Sequence, residues 1–297
     1  MHHHLVFQAK YFFGLLQRLY TLFAGSSQSW AILKAHVKSL SLKPLSGTRW
    51  ECRVESVKAV KYQLSDICDA LDDLAENTTD CQLVGECHSI EKEITTYESV
   101  VALVVMYDIL TKINVISKMW QSEKIHLDVA IQYLDAFTHW LVNYRENGFQ
   151  SSLATAREIA EKNDIDRKFK VVRRRRKRTN FDYDGEDEAL ELPAEEIFKI
   201  NYFYVIVDNV RASCQPRFEA LKHHESIFGF MCNIKRLKEI SDCELLKQCS
   251  NSEISLTVGE TSDIDEHELY EELNMFIRVY EGNDDIISVL KYIIEKI

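Results

Sequence analysis

Apolar residues recur three or four positions apart along most of the chain, which is the spacing of an amphipathic α-helix. The longest such stripe covers residues 50–74, and another covers residues 6–24. Between Tyr97 and Trp120 almost every position is apolar, which predicts a central helix buried on all sides. No segment alternates apolar and polar residues in the manner of a half-buried strand. The pattern predicts an all-α fold, a bundle of many helices.

Glycine, proline and polar clusters predict where the helices end. The stripe after residue 50 predicts one unbroken helix over residues 50–77. We expect a break at Gly148 within the helical segment 127–163, and a kink or an end of the last long helix at Pro216. The polar stretch 250–262 predicts a loop.

The composition restricts the class of protein. Of the 297 residues, 46% are hydrophobic and 28% are charged, which is typical of a globular protein and excludes a disordered or fibrous one. The apolar run 100–110 contains Asp108 and is too short to span a membrane, and the first residues lack the features of a signal peptide. We therefore expect a soluble intracellular protein with no membrane contact.

The cysteines also bear on the class of protein. In a large intracellular chain the eight cysteines are expected to be reduced thiols. The pairs Cys81–Cys87 and Cys243–Cys249 repeat one spacing, which leaves a four-sulfur zinc site as an alternative, although the spacing is not that of a zinc finger. We predict no metal and no cofactor.

Charge is distributed unevenly. Residues 239–297 carry 15 acids and 4 bases, which accounts for the whole net charge of −11. Residues 1–50 contain six bases and no acid, and residues 170–178 contain seven bases. These two basic stretches predict surfaces that face a polyanion.

Charge and periodicity together predict four regions along the chain. Residues 1–47 form a helical lead-in with a basic surface, and residues 48–163 form the first part of a helical domain. Residues 164–192 form a charged loop, and residues 193–297 form the second helical part with its acidic end.

Several segments resemble hAT-superfamily transposases, most closely the zinc finger MYM-type and THAP-containing kind. The first is the aromatic stretch from Tyr11-Phe12-Phe13-Gly14 to Phe23, followed by Ser29-Trp30. The second is residues 42–53, which contain the step Thr48-Arg49-Trp50. The remaining segments, in chain order, are 104–116, 127–134, 173–182, Arg217-Phe218 and Phe228-Gly229-Phe230.

This resemblance implies an origin in DNA transposition. The family has an RNase H-like core in which two Asp and one Glu hold divalent metal, interrupted by a large all-α insertion. The segments that match lie in the insertion domain and its flanks, and none of the three metal-binding acids has a counterpart in residues 1–297. The resemblance therefore implies a truncated, transposon-derived protein that is not an enzyme.

The resemblance also implies DNA-binding positions. In the family, the Trp of the Arg-Trp step stacks where a base is flipped out, which corresponds here to Trp50, with Arg49 beside a phosphate. Trp50 as a helix-start core residue and Arg49 as a solvated side chain remain alternatives. The basic block is open to three interpretations, which are phosphate contact, nuclear import and a solvated loop. It consists of Arg173, Arg174, Arg175, Arg176, Lys177 and Arg178.

The sequence leads to one main hypothesis and two alternatives. The main hypothesis is a nuclear, DNA-associated protein without catalytic acids. The first alternative is a helical protein-interaction scaffold that binds no DNA and uses the acidic region. The second is a fragment of an active transposase. DNA and other proteins are thus the candidate partners, and the sequence does not fix an oligomeric state.

Overall fold

The computed structural model describes residues 2–45, 50–122, 127–170, 192–282 and 286–296. Helices account for nearly all of this part of the chain, so the predicted all-α fold is confirmed. The helices are α1 (His2–Ala24), α2 (Ser27–His36), α3 (Trp50–Tyr62), α4 (Leu64–Glu76), α5 (Cys81–Ile94), α6 (Tyr97–Trp120), α7 (Leu127–Asn143), α8 (Phe149–Lys162), α9 (Ala194–Phe198), α10 (Val205–Cys232), α11 (Ile234–Glu239), α12 (Asp242–Leu256), α13 (Glu266–Val279) and α14 (Ile286–Lys296).

The chain divides into two compact units. Unit 1 comprises Met1–Val115 and Trp140–Arg211, and unit 2 comprises Ile116–His139 and Ala212–Ile297. The chain passes between the units within α6, α7 and α10, whose bounds contain the three division points. The four regions predicted from charge and periodicity stay a prediction beside this division.

Unit 1 begins with a helical hairpin. The Ser26 side chain accepts a hydrogen bond from the Ser29 backbone N–H at 3.0 Å and so caps α2. Leu19 and Phe23 of α1 are fully buried, and Leu33 of α2 is almost so. Burial of these side chains holds the two helices together.

The predicted single helix over residues 50–77 is wrong, because the chain breaks at Gln63 between α3 and α4. Gln63 leaves the helical conformation, with φ −131° and ψ 35°. Its buried amide instead serves the preceding loop, accepting from Ser39 Oγ at 2.7 Å and donating to the Leu40 carbonyl at 2.9 Å. The apolar stripe continues across the break, so the periodicity gave no sign of it.

Helix α6 is the buried centre of unit 1 over its first half. Val100, Val101 and Val105 have no exposed surface, whereas Val115 is half exposed. Of the described helices, α6 alone is long and apolar enough to cross a membrane, with a mean hydropathy of 1.8 over its best window, half of which is buried. The core helix of a globular protein meets the same criteria, so the expected lack of membrane contact stays a prediction.

The charged segment 164–192 is anchored to unit 1 by its first residues. The Phe169 ring packs edge-on against Tyr97, with the ring centroids 5.1 Å apart. It also contacts Phe198 of α9 in a tilted arrangement, with the centroids 5.3 Å apart. The Lys170 backbone N–H donates to the Glu98 carboxylate at 2.8 Å. The rest of this segment, from residue 171 to residue 191, lies outside the described residues.

Unit 2 has a smaller core of its own. One buried cluster in it comes from α10, α11, α12 and the residue that follows α13, and consists of Phe230, Ile234, Leu237, Leu245, Cys249 and Tyr280. Pro216, predicted to kink or end a helix, lies inside α10, which continues to Cys232 although proline supplies no N–H. The predicted loop 250–262 is instead the end of α12 and a two-stranded hairpin, β1 (Thr257–Val258) and β2 (Thr261–Ser262), turned at Gly259 with a φ of 68°.

Candidate functional site

Of the DNA-binding residues predicted from the sequence, only Trp50 is among the described residues. Arg49 and the basic block 173–178 are outside the described residues. Trp50 is the first residue of α3, and the surroundings of its side chain are not described. The roles of these residues stay predictions.

The described part of unit 1 contains a feature that the sequence analysis missed, which is a pair of π-helical turns. The break expected at Gly148 is instead a π turn, Tyr144–Gly148, that joins α7 to α8 without interruption. A Cβ atom at position 148 would collide with the Tyr144 ring, so the turn needs glycine there. The second π turn, Lys199–Tyr204, joins α9 to α10. Such turns occur frequently at functional sites.

Aromatic packing brings the two π turns into contact. The Phe203 ring lies 5.4 Å from the Tyr144 ring and 5.3 Å from the Phe149 ring, and Phe203 is completely buried. Arg145 forms a bidentate pair with Asp208, with N···O distances of 2.6 and 3.0 Å. These contacts fix the backbone of the first turn against the second.

A hydrogen-bond chain that runs from a buried hydroxyl to a half-buried carboxylate passes through the first π turn. The Tyr144 phenol donates to Oδ2 of Asp108 at 3.0 Å. Because a phenol has one hydrogen, the 2.9 Å contact with Ser152 is a bond in which the Ser152 hydroxyl donates to Tyr144. The chain therefore ends on the Asp108 carboxylate, which projects from α6.

Burial dominates the electrostatics of this chain. It raises the pKa of Asp108, and the hydrogen bond from Tyr144 and the charges of Lys61 and Lys112 only partly oppose it. It also raises the pKa of Tyr144, and the neighbouring Asp108 charge adds to that rise. At neutral pH the site holds a neutral phenol beside a carboxylate whose affinity for a proton is increased.

The hydrogen-bond chain borders a cavity, which we name the Trp140 pocket. Its volume is about 380 Å³, within the range of small-molecule sites. Trp140 stacks on Tyr144 with the ring centroids 4.6 Å apart and the planes 19° apart. The pocket is lined by Tyr107, Asp108, Thr111, Lys112, Trp140, Asn143, Tyr144, Asn147, Gly148 and Ser151.

Two lysines give the rings of this pocket a cationic border. The Lys112 ammonium is 5.8 Å from the centre of the Trp140 ring, and the Lys61 ammonium is 4.0 Å from the centre of the Tyr107 ring. Tyr62 packs edge-on against Tyr107 at 5.8 Å. The arrangement offers stacking faces, hydrogen-bond acceptors and positive charge within one small volume.

One signal in the sequence marks part of this site. Asp108 is the single charged residue in the apolar run 100–110, and a buried charge in a core helix needs a polar partner. Tyr144 and Trp140 carry no comparable signal, because aromatic residues at helical spacing predict only a core face.

The lead-in helices present a different candidate surface. Arg18 is held by Glu86 at 2.8 Å and Glu93 at 3.0 Å, and Lys43 pairs with Glu55. The acid-free stretch 1–50 is therefore partly neutralised by α3 and α5. Within the part of the chain that the structure describes, three of its bases form no ion pair and are exposed, namely Lys10, Lys34 and Lys38.

Metal-ligating side chains do not cluster among the described residues, where no group of three or more His, Cys, Asp or Glu could hold an ion. Burial raises the pKa of Cys68 to about 12 and that of Cys87 to about 11, which disfavours the thiolates that bind metal. In unit 2 burial likewise raises the pKa of Cys249 to about 11.

Comparison with known proteins found no match to the chain. No known protein family, no curated protein and no solved structure matches it. The resemblance to hAT transposases rests on the residues quoted above and stays a prediction.

Proposed function

We propose that the chain is a transposon-derived, DNA-associated protein that does not cut DNA. The order of the hAT-like segments along the chain supports this origin, and the all-α fold agrees with a helical insertion domain. The basic block 173–178 suits nuclear import, so we place the protein in the nucleus.

The observation that carries DNA association is the charge on α1, on α2 and on the loop that follows α2. Lys10, Lys34 and Lys38 are exposed and have no carboxylate partner among the described residues, whereas Arg18 and Lys43 are already neutralised. Phosphates are the ligands that unpaired lysines attract most strongly and with least regard to sequence. The three lysines are therefore the proposed phosphate contacts of the described part of the chain.

The proposal excludes cleavage because of the chemistry that cleavage requires. Two metal ions must clamp the attacking and leaving oxygens of a phosphodiester, and carboxylates must hold them. The resembled family uses two Asp and one Glu, and residues 1–297 supply no counterpart of any of them. Incubation of the purified chain with DNA and Mg²⁺ should leave the DNA intact, and cleavage that stops on chelation would contradict the proposal.

Fluorescence anisotropy over a salt series tests the DNA contact. The triple variant Lys10→Glu/Lys34→Glu/Lys38→Glu should weaken duplex binding and reduce the slope of log K against log salt by up to about three, roughly one unit per lost phosphate contact. A matched control, Lys247→Glu/Arg278→Glu/Lys291→Glu, changes the net charge equally but in unit 2. Equal losses in both variants would contradict a contact through Lys10, Lys34 and Lys38.

A protein-interaction scaffold is the second candidate, favoured by the surface of unit 2. Met275 and Val279 of α13 and Ile294 of α14 are largely exposed, in a region whose charge is strongly negative. Exposed apolar side chains rimmed by charge are typical of protein interfaces. The scaffold would replace DNA association as the main proposal if the chain failed to bind duplex DNA at low salt.

A further inference from the structure

We propose that the Trp140 pocket binds a guanine base that carries a phosphate, either as a free nucleotide or as an unstacked base of a DNA strand. The shared chemistry is a flat ring with two adjacent N–H donors, followed by an anion. The proposal does not depend on duplex binding through Lys10, Lys34 and Lys38.

The size and walls of the pocket fit a flat heterocycle. Its volume of about 380 Å³ holds a ring system of two fused rings with its sugar. Tyr107, Trp140 and Tyr144 line it, and the stacked pair Trp140–Tyr144 is already arranged as two parallel planes. A base in the pocket would lie against these aromatic walls, and contact with an aromatic ring is favourable for any base.

The polar groups select the edge of the base. Oδ2 of Asp108 accepts from Tyr144, while Oδ1 has no hydrogen-bond partner within the described residues. A carboxylate only accepts, so the ligand must donate. Guanine presents two N–H donors side by side, at its ring nitrogen and its amino group, whereas adenine pairs one donor with an acceptor.

Three further polar side chains line the same pocket, those of Thr111, Asn143 and Asn147. The Thr111 hydroxyl oxygen is buried and has no hydrogen-bond partner among the described residues. Asn147 donates to Asn143 at 2.8 Å through one of its amide hydrogens, which leaves further donors and acceptors on both amides. The asparagine amides at the mouth can pair with a ligand that has polar edges, which an apolar ligand cannot offer.

Positive charge at the mouth of the pocket would attract the phosphate of the proposed ligand. Lys112 lines the pocket and is exposed, and Lys61 lies over the neighbouring Tyr107 ring. Asp108 is the one carboxylate among the lining residues, so the two ammonium groups outweigh it. A phosphate at the mouth would be attracted to Lys112 while the base occupies the interior.

The site is also rigid before a ligand arrives. Gly148 permits the close approach of Tyr144, and Phe203 with the Arg145–Asp208 pair holds the π turn in place. Recognition groups that are fixed in advance lose little freedom on binding, which favours affinity.

Calorimetric titration of the full chain with GMP, AMP and guanosine tests this inference. We expect GMP to bind more tightly than AMP. Asp108→Asn should weaken GMP binding by roughly ten- to hundredfold, the effect of losing hydrogen bonds to a charged acceptor. Lys112→Ala should weaken binding of GMP but not of guanosine. Trp140→Phe keeps an aromatic ring and should weaken all three ligands.

Matched controls and a strand titration complete the experiment. Asp69→Asn and Lys58→Ala remove the same charges from exposed positions on α4 and α3 and should leave GMP binding unchanged. A thymine strand with one guanine, compared with an all-thymine strand, separates the two sources of the base. Binding of GMP alone would assign a free nucleotide, and Asp108-dependent binding of the guanine strand alone would assign a DNA base.

The inference is overturned if neither GMP nor the guanine strand binds, or if Asp108→Asn and Lys112→Ala bind as the unchanged chain does. Its failure is distinct from failure of the proposed function. The variant with glutamates at positions 10, 34 and 38 should lose duplex binding and keep GMP binding. If the unchanged chain does not bind duplex DNA, this contradicts the proposed DNA association and leaves the inference about the Trp140 pocket unaffected.

Discussion

The two units of the chain use polar and apolar side chains in opposite ways. Unit 1 places a half-buried carboxylate, a buried phenol and a buried hydroxyl in one chain of hydrogen bonds, Asp108–Tyr144–Ser152, next to a pocket. Unit 2 leaves large apolar side chains outside, with Met275 71% and Ile294 77% exposed. Both arrangements reduce the stability of an isolated unit. A ligand for unit 1 and a protein partner for unit 2 would compensate for them.

The largest expected effect is in the packing between the two π turns. Phe203→Ala removes a completely buried ring that contacts Tyr144 and Phe149 and should lower the free energy of unfolding by about 3–5 kcal/mol. Met275→Ala in unit 2 should change it by about 0.5 kcal/mol or less. Urea unfolding measures both. Similar effects of the two substitutions would remove the contrast between a packed site and an exposed surface.

Substitutions at two glycines test whether the first π turn requires a glycine at position 148. Gly148→Ala forces a methyl group into the Tyr144 ring and should destabilise by about 1–3 kcal/mol. Gly85 lies in α5, and there is open space where a Cβ would be added. Gly85→Ala should therefore raise the free energy of unfolding by about 0.5–1 kcal/mol, because alanine has the higher helix propensity. Thermal unfolding of both variants is the measurement. Stabilisation by Gly148→Ala would show that the turn does not depend on the glycine.

A smaller effect is expected from the charge of Asp108. Its pKa is raised by burial, so the folded state binds a proton more tightly than the unfolded state, and ionisation above the raised pKa costs stability. Asp108→Asn keeps the acceptor for Tyr144 and removes the charge. It should therefore raise the thermal midpoint at neutral pH.

The pH dependence is the check on this prediction. The advantage of Asp108→Asn should shrink as the pH falls through the raised pKa toward the ordinary value of 3.8. An advantage that stayed constant over that window would contradict ionisation of a buried carboxyl as its cause.

Asp265 in unit 2 should give the smallest effect and one of opposite sign. It caps α13, and the backbone N–H groups of Glu268 and His267 hold its pKa below the ordinary value. Its contribution to stability is present above that ordinary value and is lost as the pH falls through the lowered pKa. Asp265→Asn should therefore be less stable than the unchanged chain at neutral pH. The two midpoints should converge in acid, and a difference that persisted there would contradict the charged cap.

Much of the fold could be predicted from the sequence because it follows from local chemistry. The apolar run that forms α6 has the predicted bounds, Tyr97–Trp120. The break at Gln63 could not be predicted, because it depends on hydrogen bonds to the loop at Ser39 and Leu40, which are distant in sequence.

The candidate site was harder to predict for the same reason. Asp108 gave a signal as a charge in an apolar run, and Gly148 was identified as a break. In the structure this position belongs to a π turn and the helix is not interrupted. The Tyr144 ring occupies the space in which a side chain at position 148 would lie. The partner of Asp108 lies in another helix, and helical periodicity identifies only the face that is buried, not the residue it meets.

The most direct test of DNA association is the anisotropy of labelled hairpin-ended and plain duplex DNA with the unchanged chain, from low to high salt. The account predicts binding at low salt that weakens steeply as salt rises, with a preference for the hairpin that Trp50→Ala removes. No binding to either DNA at the lowest salt would contradict it and leave the protein-interaction scaffold as the better explanation.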